Sequence, residues 1–201
     1  MKKFLLYISI VAGVAFTPVD GISKKERKEA AKFLNETEEA VLNAVKGLSE
    51  AQLNFKPAAD KWSVEDCMKH IAVTEITLWH MTDSIISQTA NPEKRSDIKM
   101  TDDDVKKNIE DRTNKVKTYP SMEPRNTSFK NLEEAMNSFK ENRSKLISYV
   151  KNTDADLRNH VATLPFASFD CYQMILFIGA HSQRHLRQME EVKADPNFPK
   201  E

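Results

Sequence analysis

The stretch "WSVEDCMKHIAVTEITLWHMTDSII", residues 62–86, decides the fold of this chain. Ser63 is a natural N-cap, and Asp66 stands three positions on, where its carboxylate can reach back to the N–H of the cap. Trp62 precedes the cap and Cys67 occupies the fourth helical position, the two partners of a hydrophobic staple. From there Val64, Met68, Ile71 and Leu78 recur at helical spacing, beside a second stripe of Cys67, His70, Thr74, Thr77 and Met81. An amphipathic helix is therefore expected from Ser63 to about Ile86, with one face turned to a core.

The same period recurs on both sides of this segment. Leu34, Val41, Val45 and Leu48 mark a helix over about 24–47, opened by the charged run "SKKERKE" (23–29) and stopped by Gly47. Residues 48–60, "LSEAQLNFKPAAD", read as a connector with Pro57. Leu132, Ala135, Met136, Phe139, Leu146, Ile147 and Val150 mark a helix over about 132–151, and Arg143 falls inside that stripe. Cys171, Met174, Ile178, His181 and His185 mark the last, over about 169–193. Between the second and third lies "TDDDVKKNIEDRTNKVK" (101–117), with a Thr101 cap, acids in its first turn and only Val105, Ile109 and Val116 as apolar positions. That pattern predicts a wet, additional helix lying across the others. "YPSMEPRN" (119–126) then breaks the chain with two prolines. Four long amphipathic helices make an all-α four-helix bundle the economical architecture.

Composition agrees. The 201 residues are 40% hydrophobic and 30% charged, which suits one domain with a real core. Four Gly against eight Met favours helix over strands and tight turns. Lys2 and Lys3 followed by an apolar run from Phe4 to Phe16 have the form of a secretory signal peptide, too short to span a bilayer. Small residues at Gly13-Val14-Ala15 and at Val19-Asp20-Gly21 both suit cleavage, and a retained N-terminal anchor is the alternative. The expected organisation is a signal peptide over 1–21 and a bundle domain over 22–201, exported to a periplasmic or extracellular location and free of the membrane after cleavage. The formal net charge is zero. Removing residues 1–21 takes away two lysines and one aspartate, so the product carries one net negative charge and lacks the basic field that nucleic-acid binding needs.

The chemistry of the chain points to histidine. In "HSQRHLRQ" (181–188), His181 and His185 are four apart, so one helix face carries both imidazoles towards a single point. Neutral imidazole is a donor for Zn, Ni, Cu or ferrous iron, and a pair of this kind needs a further ligand from elsewhere. His70, on the inward stripe of residues 63–86, is the candidate. Taken alone, the pair is a weak signal and reads first as two partly exposed or hydrogen-bonded histidines. His80 lies ten residues past His70 and is rotated from it by roughly 80°, at about 100° per residue, so it faces elsewhere. His160 falls in "DADLRNHVATLPF", a loop reading. Ser182 stands where a metalloprotease HExxH motif has its glutamate, which removes the peptidase reading. Asp66 serves as the cap or as a base or ligand-orienting group beside His70. Arg143 is either a solvated or ion-paired edge residue or an anchor for an anionic substrate.

Two segments carry a family resemblance. "GLSEAQLNFKPAADKWSVEDCMKHIAVTE" (47–75) resembles the opening block of the DinB-like superfamily, which includes the YfiT-type proteins, and "LPFASFDCYQMILFIGAHSQRHLRQMEEV" (164–192) resembles its closing block. The resemblance spans about residues 25–193, and its specific parts are Trp62-Ser63 followed by His70, and His181-x3-His185. It implies a four-helix bundle, often dimeric, in which His70, His181 and His185 bind a divalent metal, Zn or Ni, with remaining positions open to water. It implies a metal-dependent hydrolase or a thiol-dependent transferase acting on a small molecule, or else a non-catalytic bundle whose metal is structural. A homodimer joins the expected partners. The thiol-transfer branch sits poorly with export, because it needs a reduced thiol pool.

An exported chain with Cys67 and Cys171 invites a disulfide. If His70 and His181 share a metal, helix rise separates the two cysteines by about 10 Å along parallel axes or about 20 Å along antiparallel ones. A disulfide needs Cα atoms within roughly 7 Å. Two free, buried thiols are therefore expected, with Cys67 as a fourth ligand the remaining alternative through its spacing to His70.

Overall fold

The computed structural model describes residues 21–200, so the expected signal peptide lies outside the described residues except for Gly21. Four long helices form the bundle: α1 (Lys24–Val45), α3 (Val64–Ile86), α5 (Leu132–Asn152) and α6 (Cys171–Lys193). Two short helices join them, α2 (Glu50–Asn54) and α4 (Asp102–Glu110). Every one starts on a side-chain cap, from Ser23, Ser49, Ser63, Thr101, Asn131 and Asp170 in turn. At Ser63 the box closes as the spacing requires: the hydroxyl accepts from Asp66 N–H at 3.1 Å and the Asp66 carboxylate accepts from Ser63 N–H at 3.1 Å.

Around the bundle the order is α1, α6, α3, α5, with α1 opposite α3 and α5 opposite α6. Cross-helix contacts set the directions. Cys171, at the start of α6, lies against the Thr82 carbonyl near the end of α3, while His70 meets His181, so α3 and α6 are antiparallel. Tyr172 donates to the Glu26 carbonyl and Lys193 to that of Ala44, so α1 and α6 are parallel. Lys69 donates to the Lys130 carbonyl and the Trp79 and Tyr149 rings meet at 4.8 Å, so α3 and α5 are parallel neighbours as well. Because α3 and α5 follow one another in sequence and run the same way, the chain must return the length of the bundle between them. Residues 87–131 make that crossover. It carries α4 and 3-10 turns at Pro92–Asp97, Pro120–Met122 and Pro124–Asn126.

Three sequence expectations change. The helix expected over 101–117 stops at Glu110, because Asp111 caps the chain with its side chain on Thr113, and Val116 is 77% exposed instead of completing an apolar stripe. The connector 48–60 contains α2, a single capped turn-and-a-half too short to show a period. The all-α pattern also gains an antiparallel hairpin, β1 (Val161–Thr163) with β2 (Ser168–Asp170), in register Val161↔Asp170 and Thr163↔Ser168. The hairpin delays the start of α6 from 169 to Cys171 and delivers Asp170 as its cap.

The buried apolar side chains form two clusters. One gathers Leu34, Leu78, Leu146, Val150, Phe169 and Met174; the other gathers Val41, Met68, Ile71, Ala135, Phe139 and Met189. Cys171 belongs to the first cluster and Cys67 to the second, and both are free thiols. On the antiparallel pair α3 and α6, Cys171 is level with Thr82, about 22 Å along the axis from Cys67 at 1.5 Å per residue. Between the clusters lies a polar level in which Arg143 holds all four long helices. Its Nε and Nη2 donate to the two Glu75 carboxylate oxygens of α3 at 2.6 Å each. Nη1 reaches the Leu34 carbonyl and Thr37 Oγ1 of α1 at 2.9 and 2.7 Å, and Nη2 reaches Ser182 Oγ of α6 at 2.8 Å. Arg143 is thus an ion-paired residue at the centre of the bundle, fully buried, and not at its edge. Among the described residues, no helix is long and apolar enough to cross a membrane.

Candidate metal centre

His70, His181 and His185 converge beside that polar level. Two come from successive turns of α6, and the third arrives because α3 runs antiparallel to α6 and presents its inward stripe at the same height. One nitrogen from each ring lies within 4.8 Å of the others. His70 Nε2 and His181 Nε2 are 3.3 Å apart. Two nitrogens each at about 2.0–2.1 Å from a tetrahedral ion stand about 3.3–3.4 Å apart, so this edge already has the span a zinc-like ion requires. The rings pack closely, with centroids at 4.4 Å for His70 and His185, 4.6 Å for His181 and His185, and 5.1 Å for His70 and His181.

Outer hydrogen bonds aim the lone pairs. His70 Nδ1 donates to the Met122 carbonyl at 2.7 Å, which leaves Nε2 unprotonated. His185 Nδ1 donates to Gln188 Oε1 at 3.0 Å, leaving its Nε2 unprotonated as well. Burial keeps all three rings neutral. It holds His70 at about 4, with the Met122 carbonyl opposing the shift only in part. It carries His181 and His185 well below the usual imidazole range, with His70 and nearby arginines lowering His181 further and His181 and His70 lowering His185. Neutral imidazole is the form that ligates a metal. The donor set, three nitrogens and no carboxylate, fits a borderline divalent ion such as Zn or Ni better than an oxygen-seeking one.

Aromatic side chains wall the site. The Trp62 ring stacks on His185 at 5.7 Å and 24° and meets His70 at 4.8 Å, so the staple residue of α3 also covers the ligands. Phe177, one turn before His181, lies parallel to it at 12° with centroids 6.4 Å apart.

The other sequence candidates fall outside the centre. Cys67 is fully buried in the apolar core, where desolvation pushes its thiol far up, and it is not in the ligand cluster. Asp66 caps α3 and pairs with Lys56 at 2.7 Å. Ser182 accepts from Arg143 and donates to the Ile178 carbonyl, so it is committed to the bundle. His80 is exposed. His160, expected in a surface loop, is buried instead, bonded to the carbonyls of Asp156 and Gln88, and it ties the hairpin to the end of α3.

Sequence reading missed the groups that orient these histidines. Gln188 was legible in principle, since position i+3 from His185 shares its helix face. Met122 and Arg112 were not, because both sit in the crossover and reach the site only through its return path. Arg112 Nη1 donates to Gln188 Oε1 at 3.1 Å, while its Nε and Nη2 grip the Glu191 carboxylate at 2.7 and 2.8 Å.

Comparisons with known proteins agree with this fold. The family model described as DinB superfamily matches residues 34–189. The uncharacterized protein YuaE of Bacillus subtilis (strain 168) is 30% identical over 164 residues, covering 80% of this chain and 95% of that one. Among solved structures, YfiT from Bacillus subtilis, described as a probable metal-dependent hydrolase with an unusual four-helix bundle topology, superposes with a TM-score of 0.60. It is 13% identical, and the alignment covers 92% of this chain and 95% of that one.

Proposed function

The chain belongs to the DinB superfamily, and on that premise we propose that it is a metal-dependent hydrolase of a small molecule, with His70, His181 and His185 as the ligands of one divalent ion. The observation that carries this reading is the meeting of three neutral imidazoles from two antiparallel helices, two of them with their outer nitrogens already occupied. A divalent ion held by three protein nitrogens keeps a position free for water or substrate, and supplies a Lewis acid that polarises an ester, amide or phosphoryl oxygen and lowers the pKa of water.

The remaining roles belong to the residues of the chain. Met122 and Gln188 fix the tautomers of His70 and His185. Trp62 and Phe177 shield the rings and offer an apolar surface to the body of a substrate. No carboxylate joins the histidine cluster among the described residues, so proton transfer in this reading falls to solvent or to the substrate itself. Zinc is the first choice of metal and nickel the second, on the 3.3 Å separation and the all-nitrogen set. Transfer to a low-molecular-weight thiol is the second chemistry. Hydrolysis ranks ahead of it because water is present in every compartment, and the Lys2 to Phe16 pattern supports export to one without a reduced thiol pool. The description of YfiT as a probable metal-dependent hydrolase supports the same order.

A structural metal that ties α3 to α6 is the competing reading, favoured by the depth of His70 and His185, only 3% and 7% exposed. Structural zinc sites, however, are usually closed by four protein ligands. The test is elemental analysis of untagged protein, before and after loading with Zn²⁺ or Ni²⁺, followed by turnover on ester, amide, phosphoester and thiol-electrophile panels. About one metal per chain and hydrolysis lost in His70→Ala are expected. Loading below about 0.1 per chain removes both metal readings, and full loading with no metal-dependent turnover on any panel leaves the structural one.

A further inference from the structure

Two of the three ligand histidines are reached from outside their own bundle helices by one segment, the stretch 111–126 that follows α4 in the crossover, His70 directly and His185 through Gln188 of α6. Its Met122 carbonyl accepts the hydrogen bond of His70 Nδ1–H. Its Arg112 holds Gln188 by the same Oε1 that accepts the hydrogen bond of His185 Nδ1–H. An amide oxygen has two lone pairs, so the two donors share it without competing. Arg112 in turn cannot drift, because Glu191, one turn further along α6, grips its other face in bidentate geometry. α6 also holds the start of the segment: Arg184 donates to the carbonyls of Asp111 and Asn114, and Arg187 to the Glu110 carbonyl at 3.2 Å.

We propose that Arg112 is a positioning residue of the metal centre, acting through Gln188 on the tautomer and ring orientation of His185, and that segment 111–126 is a strap whose docking and metal binding reinforce one another. This rests on the three-histidine reading above. Without Arg112, the Gln188 side chain is free to rotate about its terminal bond and present its NH₂ group to His185 Nδ1. That geometry favours the Nε2-protonated ring, in which the proton occupies the metal-facing lone pair. Ligand orientation by such outer partners is worth about 10–100-fold in metal affinity. Reciprocity requires that the metal tighten the strap by the factor by which the strap tightens the metal.

The experiment compares wild type with Arg112→Met, Gln188→Leu, Gln188→Glu and the double variant R112M/Q188L, using Zn²⁺ as the probe. Three readouts are taken: Zn²⁺ affinity by competition with a chelating indicator, the ¹⁵N shifts of the His185 ring in metal-free protein, and the rate of tryptic cleavage at the exposed Lys115 and Lys117 of the strap. R112M and Q188L are each expected to lose about 10–100-fold in affinity, to shift His185 towards the Nε2-protonated ring, and to lose the protection from trypsin that Zn²⁺ confers on wild type. Q188E, which keeps an acceptor for both donors, is expected to retain affinity. R112M/Q188L should lose less than the sum of the two single losses, because both act on His185 through the one Oε1 acceptor. Wild-type affinity and an unchanged His185 tautomer in R112M overturn the proposal, as do additive losses in the double variant. If wild type itself takes up no Zn²⁺, the metal reading fails; if wild type binds and R112M binds equally, only the strap does. Should R112M not fold, Q188L and Q188E carry the same comparison from α6 alone.

Discussion

Replacing Arg143 with methionine keeps the length and apolar stem of the side chain and removes its guanidinium. The loss can be divided by asking which partners have somewhere else to turn. Thr37 Oγ1 still donates to the Leu34 carbonyl at 3.1 Å, and Ser182 Oγ to the Ile178 carbonyl at 3.2 Å. The Leu34 carbonyl keeps that bond too. Glu75 has no such recourse: it is 2% exposed and loses both of its 2.6 Å charge-assisted bonds. Stranding one member of a buried ion pair costs about 3–5 kcal/mol. At about 2–4 °C per kcal/mol for a domain of this size, the melting temperature should fall by about 6–20 °C. Replacing both members by apolar side chains of similar volume is close to neutral in other buried pairs, so R143M/E75L should recover most of the loss. The assay is urea and thermal unfolding of R143M, E75L and the double variant, followed by helical circular dichroism in chelator so that metal linkage does not enter. A single variant that costs less than about 1 kcal/mol, or a double variant no better than R143M, would refute the reasoning that the stranded carboxylate dominates.

Acid should weaken the metal-free protein through its histidines. An ordinary imidazole titrates near 6.5, whereas burial holds His70 at about 4 and His181 and His185 lower than their usual range. Below about pH 6.5 the unfolded chain takes up protons that the folded chain refuses, so this stability is complete above pH 6.5 and lost as the pH falls towards 4. At pH 5 His70 by itself costs about 2 kcal/mol, and His181 and His185 add to the loss in the same direction. Urea unfolding at pH 7.5 and pH 5 should show a smaller loss in a His70→Gln/His181→Gln/His185→Gln variant than in wild type, and equal losses would show that the triad is not the source. The thiols give a separate check. Desolvation raises Cys171 to about 12 and Cys67 further still, so neither should react with a disulfide reagent at neutral pH until the protein is unfolded, when two thiols per chain should appear. An intact mass two daltons light under non-reducing conditions would contradict the separation of the two cores.

The chain itself specified its four long helices and the pairing of His181 with His185, because caps and the 3.6-residue period are local: Ser63 with Asp66, or His181 with His185, are neighbours on any helix that contains them. The same period put His70 on an inward stripe but could not say what it faced. That was decided by helix direction, which follows from the crossover and has no local signature. Arg143 shows the limit from the other side. Its position on an apolar stripe was legible, yet whether it met solvent, substrate or a buried carboxylate depended on Glu75 arriving from another helix. The hairpin at 161–170 and the short helix at 50–54 escaped for a simpler reason, being shorter than the window over which either period can be recognised. Met122 and Arg112 are decided wholly by tertiary structure, since a polar group far away in sequence can orient a ligand only after the path of the backbone has carried it there.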